Sequence, residues 1–590
     1  MTYRFHPLPV MLCAAAVALP GCSTDRVNTT AKPSPPSVER NDAFEEVIVT
    51  GSRVPDASPV PQPQPVVANQ AEAKQYRQER DGALNAIAPA VSVRDMSVHA
   101  PPYLSVQNRE NYAVIERNSV TLTRDNPVST FSVDVDTGAY ANVRRFLNND
   151  QLPPQDAVRV EELINYFDYD YPTPDSSDVP FSVNTELSRA PWSDNWLLQI
   201  GLKGYEVPAA DRPAANLVFL LDVSGSMNSA NKLPLLKKSF RLLTQQLNER
   251  DRISIVVYAG ASGVVLEPTA GDNQRAISRA LRQLQAGGST NGAAGIRLAY
   301  QLAEEAFIED GINRIVLATD GDFNVGTVDF EALKDLAERK RQSGVSLTTL
   351  GFGSGNYNDH LMEQLADAGN GNYAYIDSQK EARKVLVNEI TSTLHTIAKD
   401  VKIQIEFNPA VVAEYRLIGY ENRALNREDF INDRVDAGEI GAGHTVTALY
   451  ELVPVSSSSR SVHPLRYQAE KRTQTGDLSA QSEIGFIRLR YKQPHGDIST
   501  EIGTPVRLST LQSLEDSTDN LRFSAAVAAF GQLLCGDVHT GRYGFDDVEQ
   551  LARGAIDRDP HGYRHEFVDL VNTADMLFDE QGAQQIAVTD

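Results

Sequence analysis

In the middle of the chain, short continuous apolar runs alternate with stretches of helical spacing. The run Leu217-Val218-Phe219-Leu220-Leu221 is followed by similar runs at 253–257, 314–318 and 345–352. Between and after them, apolar residues recur every three to four positions over 233–247, 273–284, 293–306, 330–341 and 359–368. A strand that is apolar on both faces is covered on both faces, which is the condition of a parallel sheet sandwiched between helices. The pattern predicts an α/β, doubly wound parallel-sheet domain over 214–398. Ligands of such sheets sit outside the carboxyl ends of the strands, so the polar residues that follow each strand are the ones of interest.

The flanks read differently. Residues 196–202, 401–407 and 485–491 carry β signals, the last two in clean alternation. They predict an accessory β-domain built from 181–213 and 399–505, with the α/β domain inserted in it. Residues 506–590 form a C-terminal helical region, with segments at 525–534, 545–555 and 564–578. Ahead of the β-domain, 111–180 is a small α+β segment with a strand at 129–135 and helices at 140–148 and 158–167. Its Asp134-Val135-Asp136-Thr137 resembles the paired aspartates of haloacid-dehalogenase-type phosphatases. The threonine falls too early for that family, and a turn capping the next helix is the better account.

Residues 22–110 cannot bury a core: eight prolines fall between Pro33 and Pro65, among Ser, Gln and Asn. They read as a disordered tether. Within it, Glu45-Glu46-Val47-Ile48-Val49-Thr50-Gly51-Ser52-Arg53 has high strand propensity and resembles the TonB box of outer-membrane receptors. That resemblance implies a TonB-type partner engaged by strand addition through residues 45–53. Residues 1–21 carry Arg4, an apolar run from Leu8 to Leu19, and Leu19-Pro20-Gly21 before Cys22. They resemble a bacterial lipoprotein signal peptide. The resemblance implies lipidation at Cys22 and, with Ser23 next, an envelope protein anchored in the outer membrane and facing the periplasm.

Charge narrows the partners. The 590 residues hold 55 Lys+Arg against 78 Asp+Glu, a net charge of -23, and no basic run interrupts it, so nucleic acid is excluded as a partner. With Cys13 in the signal and Cys22 taken by lipid, Cys535 stands alone as a buried, inert thiol at the end of an apolar helix. His561 and His565 are four apart at a helix start, without a third ligand, and read as a metal-free pair.

Three loops carry the candidate chemistry: Asp222-Val223-Ser224-Gly225-Ser226 after the first strand, Gly287-Gly288-Ser289-Thr290-Asn291 before a helix, and Thr319-Asp320-Gly321 after the strand at 314–318. Together they resemble the von Willebrand factor type A (VWA) domain and its metal-ion-dependent adhesion site. The resemblance implies that Ser224, Ser226 and Thr290 offer hydroxyls to a divalent cation, while Asp222 and Asp320 bind it directly or through water. Hydroxyl and carboxylate oxygens are hard ligands suited to Mg²⁺ or Mn²⁺. With a mostly neutral first shell, the ion keeps an electrophilic open position that attracts a carboxylate. No histidine or cysteine is spaced to act as a base, so no catalytic residue is assigned and an enzyme is not expected.

From about residue 120 to the end, the arrangement resembles the YfbK-type VWA lipoproteins of Gram-negative bacteria, through Asp134-Val135-Asp136-Thr137, Gly288-Ser289-Thr290-Asn291-Gly292 and 317–323. The reading is a membrane-tethered, cation-dependent adhesion or assembly module that captures an acidic residue of a partner protein. Two alternatives are a scaffold with a vestigial metal site, in which 45–53 is the functional element, and a metal-dependent hydrolase.

Overall fold

The computed structural model describes residues 110–589 apart from 175–177, 209–210, 322–329, 463–481 and 495. The signal, Cys22, the tether through residue 109 with its 45–53 segment, and Asp322, two residues after Asp320, lie outside the described residues.

The described chain opens with β1 (Thr121–Leu122), β2 (Val128–Ser132) and helices α1 (Gly138–Leu147) and α2 (Val160–Asn165), then the hairpin β3 (Phe181–Arg189) and β4 (Trp196–Gly204). The α/β domain follows: β5 (Ala215–Asp222), α3 (Leu233–Thr244), β6 (Arg252–Tyr258), β7 (Ser262–Ala270), α4 (Gln274–Gln283), α5 (Gly292–Glu305), β8 (Ile312–Thr319), α6 (Phe330–Arg341), β9 (Ser346–Phe352), α7 (Asp359–Ala368) and β10 (Tyr373–Ile376). After α8 (Gln379–Arg383) and α9 (Ile390–Leu394) the chain returns to strands: β11 (Thr396–Phe407), β12 (Val412–Ile418), β13 (Ile440–Gly441), β14 (Thr445–Pro454), β15 (Glu483–Lys492), β16 (Ser499–Arg507) and β17 (Leu511–Gln512). It closes with α10 (Asp519–Leu534), α11 (Phe545–Arg553) and α12 (Tyr563–Thr589).

The central sheet runs β10-β9-β8-β5-β6-β7. β5 is buried along its whole length because its two faces serve two cores. Leu217, Phe219 and Leu221 pack with Leu236 and Phe240 of α3 on one side. Val218 and Leu220 pack with Ile296, Ala299 and Tyr300 of α5 on the other. All neighbours in this sheet are parallel except β7, which returns antiparallel beside β6. β7 carries mixed, half-exposed residues because it is an edge, so it lacks the apolar run that announces its neighbours.

The other strands form two sheets packed face to face. One runs β1-β12-β14-β4-β3-β17, the other β13-β11-β15-β16, with β2 also paired to β11. Their shared core holds Leu198, Ile200 and Leu202 of β4, Tyr450 and Leu452 of β14, and Ile403, Ile405 and Phe407 of β11. The opposite face of β4 is also covered: Leu197 joins the helical core made by α1, α2 and α10–α12. The 110–180 segment therefore serves both layers. β1 and β2 extend the two sheets, while α1 and α2 pack with the C-terminal helices.

Carboxylates and arginines fasten this segment to the α/β domain. Asp134 Oδ1 accepts from the Asp136 amide at 2.9 Å, making a tight turn, and Asp136 Oδ1 accepts from the Tyr373 amide on edge strand β10 at 2.8 Å. Arg423 spans both aspartates, at 3.2 Å from Asp134 Oδ2 and 3.3 Å from Asp136 Oδ2. The α1 N-terminus takes its cap from elsewhere: the Thr137 side chain makes no capping bond, and Glu162 Oε2 accepts from the Ala139 amide at 2.7 Å. The paired aspartates thus form a structural junction, where the sequence had pointed to a helix cap.

Candidate metal centre

The candidate loops meet at the carboxyl edge of the central sheet because β5 and β8 are parallel neighbours. Leu221 lies beside Ala318, so Asp222 and the Thr319-Asp320 pair leave the sheet side by side. Asp222 and Asp320 are both fully buried. Asp222 Oδ1 accepts from the Ser224 amide at 2.8 Å, and Oδ2 accepts from the Thr319 hydroxyl at 2.9 Å. These two bonds fix the carboxylate plane. The chain then makes one tight 3₁₀ turn over Gly225–Asn228. That turn sets the Ser224 and Ser226 hydroxyls 2.9 Å apart, Ser224 buried and Ser226 half-buried.

The second loop is fastened to the first through backbone. The Gly225 amide donates to the Gly288 carbonyl at 3.0 Å, and the Gly287 amide donates to the Val223 carbonyl at 2.8 Å. Gly288 holds φ +84°, a left-handed conformation that side chains disfavour. Thr290 lies half-buried two residues later, just before α5. Each of the five sequence-predicted residues therefore stands at this edge, Asp222 at the end of β5 and the other four on its loops. Contacts join Asp222, Ser224 and Ser226 directly, while Thr290 and Asp320 are placed by their loops.

Burial pushes the Asp222 carboxyl up to about 6; the negative charge of Asp320 adds to the rise, and the Ser224 hydrogen bonds oppose it. Nearby, burial holds the Tyr258 hydroxyl well above its ordinary range, with Asp222 the next cause. Two carboxylates and three hydroxyls form a hard-oxygen donor set, and a buried carboxyl with a raised pKa is a group that a cation would stabilise in its charged form. The residues present fit a divalent ion such as Mg²⁺ or Mn²⁺.

Two further residues stand at the centre without having been picked out by sequence. The Lys232 ammonium lies 2.8 Å from Asp320 Oδ2 and 2.9 Å from Asn356 Oδ1. Asn356 belongs to the loop that follows β9, which reaches the same sheet edge. The rule that ligands gather after parallel strands applied to that loop and could have flagged it; nothing in the sequence around Lys232 did.

The remaining candidates fall into structural roles. Cys535 is buried, and burial pushes its thiol up to about 12. His565 Nδ1 lies 2.8 Å from Asp559 Oδ2, and among the described residues no group of three His, Cys, Asp or Glu side chains could hold a metal. Among the described residues, no helix is long and apolar enough to cross a membrane.

The doubly wound sheet with this loop set defines a VWA domain, a type of protein-interaction module. The family model for the von Willebrand factor type A domain matches residues 216–390. A second von Willebrand factor model matches 106–199, and the model "Uncharacterized protein YfbK, C-terminal" matches 392–577. The uncharacterized protein YfbK of Escherichia coli K12 is 46% identical over 475 residues, covering 79% of this chain and 81% of the relative. The chain belongs to the YfbK family. Human inter-alpha-trypsin inhibitor heavy chain H4 is 29% identical over 146 residues, covering 23% of this chain and 16% of that protein. A solved von Willebrand factor type A protein from Catenulispora acidiphila is 15% identical, with TM-score 0.38, covering 66% of this chain and 88% of that one.

Proposed function

We propose that this chain is a membrane-tethered adhesion or assembly module. Lipid on Cys22 holds it to the outer membrane facing the periplasm, and a divalent cation at Asp222, Ser224, Ser226, Thr290 and Asp320 captures an acidic side chain of a partner protein. A single observation carries this reading: two buried carboxylates and two adjacent hydroxyls gather at the ligand-binding edge of a VWA sheet, with the Asp222 carboxyl pushed up to about 6. The set supplies hard oxygen ligands, while the described hydrogen-bond partners of Asp222, Ser224 and Ser226 include no histidine or cysteine that could act as a base. Binding, with no turnover, is the chemistry such a set supports. The YfbK relative that spans most of the chain is uncharacterised and the matching family model is the VWA domain, in keeping with a protein that is not an enzyme. The ion is Mg²⁺ or Mn²⁺, and residues 45–53 offer a TonB-type partner a strand.

The experiment is a thermal melt in EDTA, Mg²⁺, Mn²⁺ and Ca²⁺, with Asp222→Ala as control. A site filled at ten times its Kd adds about 1.4 kcal/mol, a rise of a few degrees. A rise that the variant lacks supports the reading; its absence with every ion sinks it. One observation favours a second reading, a scaffold with a vestigial site: Lys232 already supplies Asp320 with a cationic partner. Under that reading no ion moves the melt, and deleting 45–53 is what abolishes function.

A further inference from the structure

Lys232 is the feature of the metal centre that the donor set does not explain. Its side chain is 7% exposed, and its ammonium rests on Asp320, whose side chain is fully buried. The placement is built by two segments far apart in the chain. Lys232 stands immediately before α3, in the loop that follows the Ser224–Ser226 turn. Gly353, just past β9, holds φ +80°, and a Cβ there would come within 2.3 Å of Lys232 Cε. The space beside a bare glycine is what admits the lysine stem. Asn356 then holds the ammonium through Oδ1 at 2.9 Å, and its own amide reaches Asp320 Oδ2 at 3.5 Å.

The loop 353–358 that positions Asn356 is itself pinned at the start of the described chain. Glu110 Oε1 accepts from the Gly355 amide at 2.8 Å, the Asn111 amide donates to the Tyr357 carbonyl at 2.9 Å, and the Asp359 amide donates to the Asn111 carbonyl at 3.1 Å. The lysine is thus held against Asp320 by a fixed frame, unlike a side chain that reaches a carboxylate by chance.

We infer that Lys232 is a resident counter-charge of the metal centre, weakening its hold on the divalent cation while leaving the loaded centre with a net positive charge. The inference rests on the metal reading above. Two carboxylates alone would just neutralise a divalent ion, so the loaded site would draw an acidic partner through the ion's open position without help from net charge. With the ammonium 2.8 Å from one of those carboxylates, the empty site carries a single net negative charge and attracts the ion less. Once loaded, it keeps a positive charge that a partner's carboxylate can satisfy. Lys232 exchanges cation affinity for ligand affinity.

The test is Mn²⁺ titration of the full chain in detergent, read by the free-ion electron paramagnetic resonance signal, on the wild type, Lys232→Met, Asn356→Ala and Asp222→Ala. Lys232→Met keeps the stem beside Gly353 and removes only the charge. It should bind Mn²⁺ at least about tenfold more tightly, the size of effect expected from deleting one charge a few ångströms from the ion in a partly screened site. Asn356→Ala, which loosens the ammonium and gives up only the long 3.5 Å bond to Asp320, should tighten binding about two- to threefold and covers the case in which the methionine variant fails to fold. Unchanged or weaker binding in both variants, with Asp222-dependent binding in the wild type, overturns the counter-charge and leaves the metal reading standing. Binding by none of the four proteins overturns both.

Discussion

Arg144 Nη2 lies 2.6 Å from Asp377 Oδ1, joining a helix that precedes the VWA domain to the loop that follows its last strand. The same guanidinium reaches Glu381 Oε2 at 2.7 Å and, through Nη1, Glu566 Oε2 on α12 at 3.1 Å. One buried cation therefore touches the N-terminal segment, the VWA domain and the C-terminal helices, and the Tyr140 and Tyr166 rings flank it. Arg159 and Arg423 repeat the arrangement, against Asp359 and against Asp134, Asp136 and Asp367.

Removing one member of such a cluster leaves buried charge uncompensated, at about 3–5 kcal/mol. Arg144→Met should therefore lower stability by that amount in urea denaturation. Because Asp377 and Glu381 belong to the VWA side of the junction, the variant should also lose the single cooperative transition. A loss under about 1 kcal/mol with one transition retained would mean that the apolar helical core alone joins the parts.

Acid should destabilise the protein through His444. Burial pulls its pKa down from 6.5 to about 4, and the neighbouring Lys384 charge adds to the effect. The folded state resists protonation while the unfolded state accepts it near 6.5. This contribution to stability is thus complete above 6.5 and is lost as pH falls towards 4. Denaturant midpoints measured across that window should drop, and His444→Gln should flatten the drop by of order 2 kcal/mol, a shift of this size counted at 1.36 kcal/mol per pKa unit and reduced for partial exposure. An equal slope in wild type and variant would assign the acid sensitivity to other groups.

The central sheet, with Asp222 and Asp320 at its edge, was legible in the sequence for one physical reason, while Ser224, Ser226 and Thr290 were singled out by resemblance to the VWA loops. A strand buried on both faces must be apolar throughout, and the polar residues after it are then conspicuous. Asp222 follows five apolar residues with nothing to mask it. Where burial is one-sided or polar, the signal fails. β7 is a half-exposed edge, and β10 has four residues, too few for a period. Asp136 looked like part of a helix-capping turn, although its carboxylate holds the amide of Tyr373, 237 positions away. Lys232 was unreadable for a similar reason: a lysine at a helix start is ordinary until Gly353, more than a hundred residues on, makes room for it. Partnerships of that range are made by topology and leave no local pattern.

Cys535 offers a probe of global opening. In a chain beginning at residue 23 it is the one cysteine. It is 9% exposed within the helical core, with its Sγ 3.6 Å from the Val158 carbonyl and its thiol pushed up to about 12. Thiolate is the reactive form, so both access and ionisation oppose reaction in the folded protein. Labelling by an aromatic disulfide reagent at pH 8 should be slower than for the urea-unfolded chain by at least about a thousandfold, following the folding equilibrium. A labelling rate that ignores stabilising or destabilising variants would place the opening in α10 alone.

Gly353→Ala separates stability from cation affinity, because the two should move in opposite directions. Alanine at φ +80° costs about 1–2 kcal/mol, so the melting temperature should fall by several degrees. The same methyl group occupies the space of the Lys232 stem, so the ammonium must leave Asp320. If that ammonium opposes the cation, Mn²⁺ binding should tighten even as the fold weakens, and Mn²⁺ should raise the variant's melting temperature more than the wild type's. A simple loss of structure at the site would weaken binding along with stability. A variant with a lower melting temperature and a smaller Mn²⁺ shift would show that Gly353 serves the loop alone and that the lysine has no hold on the ion.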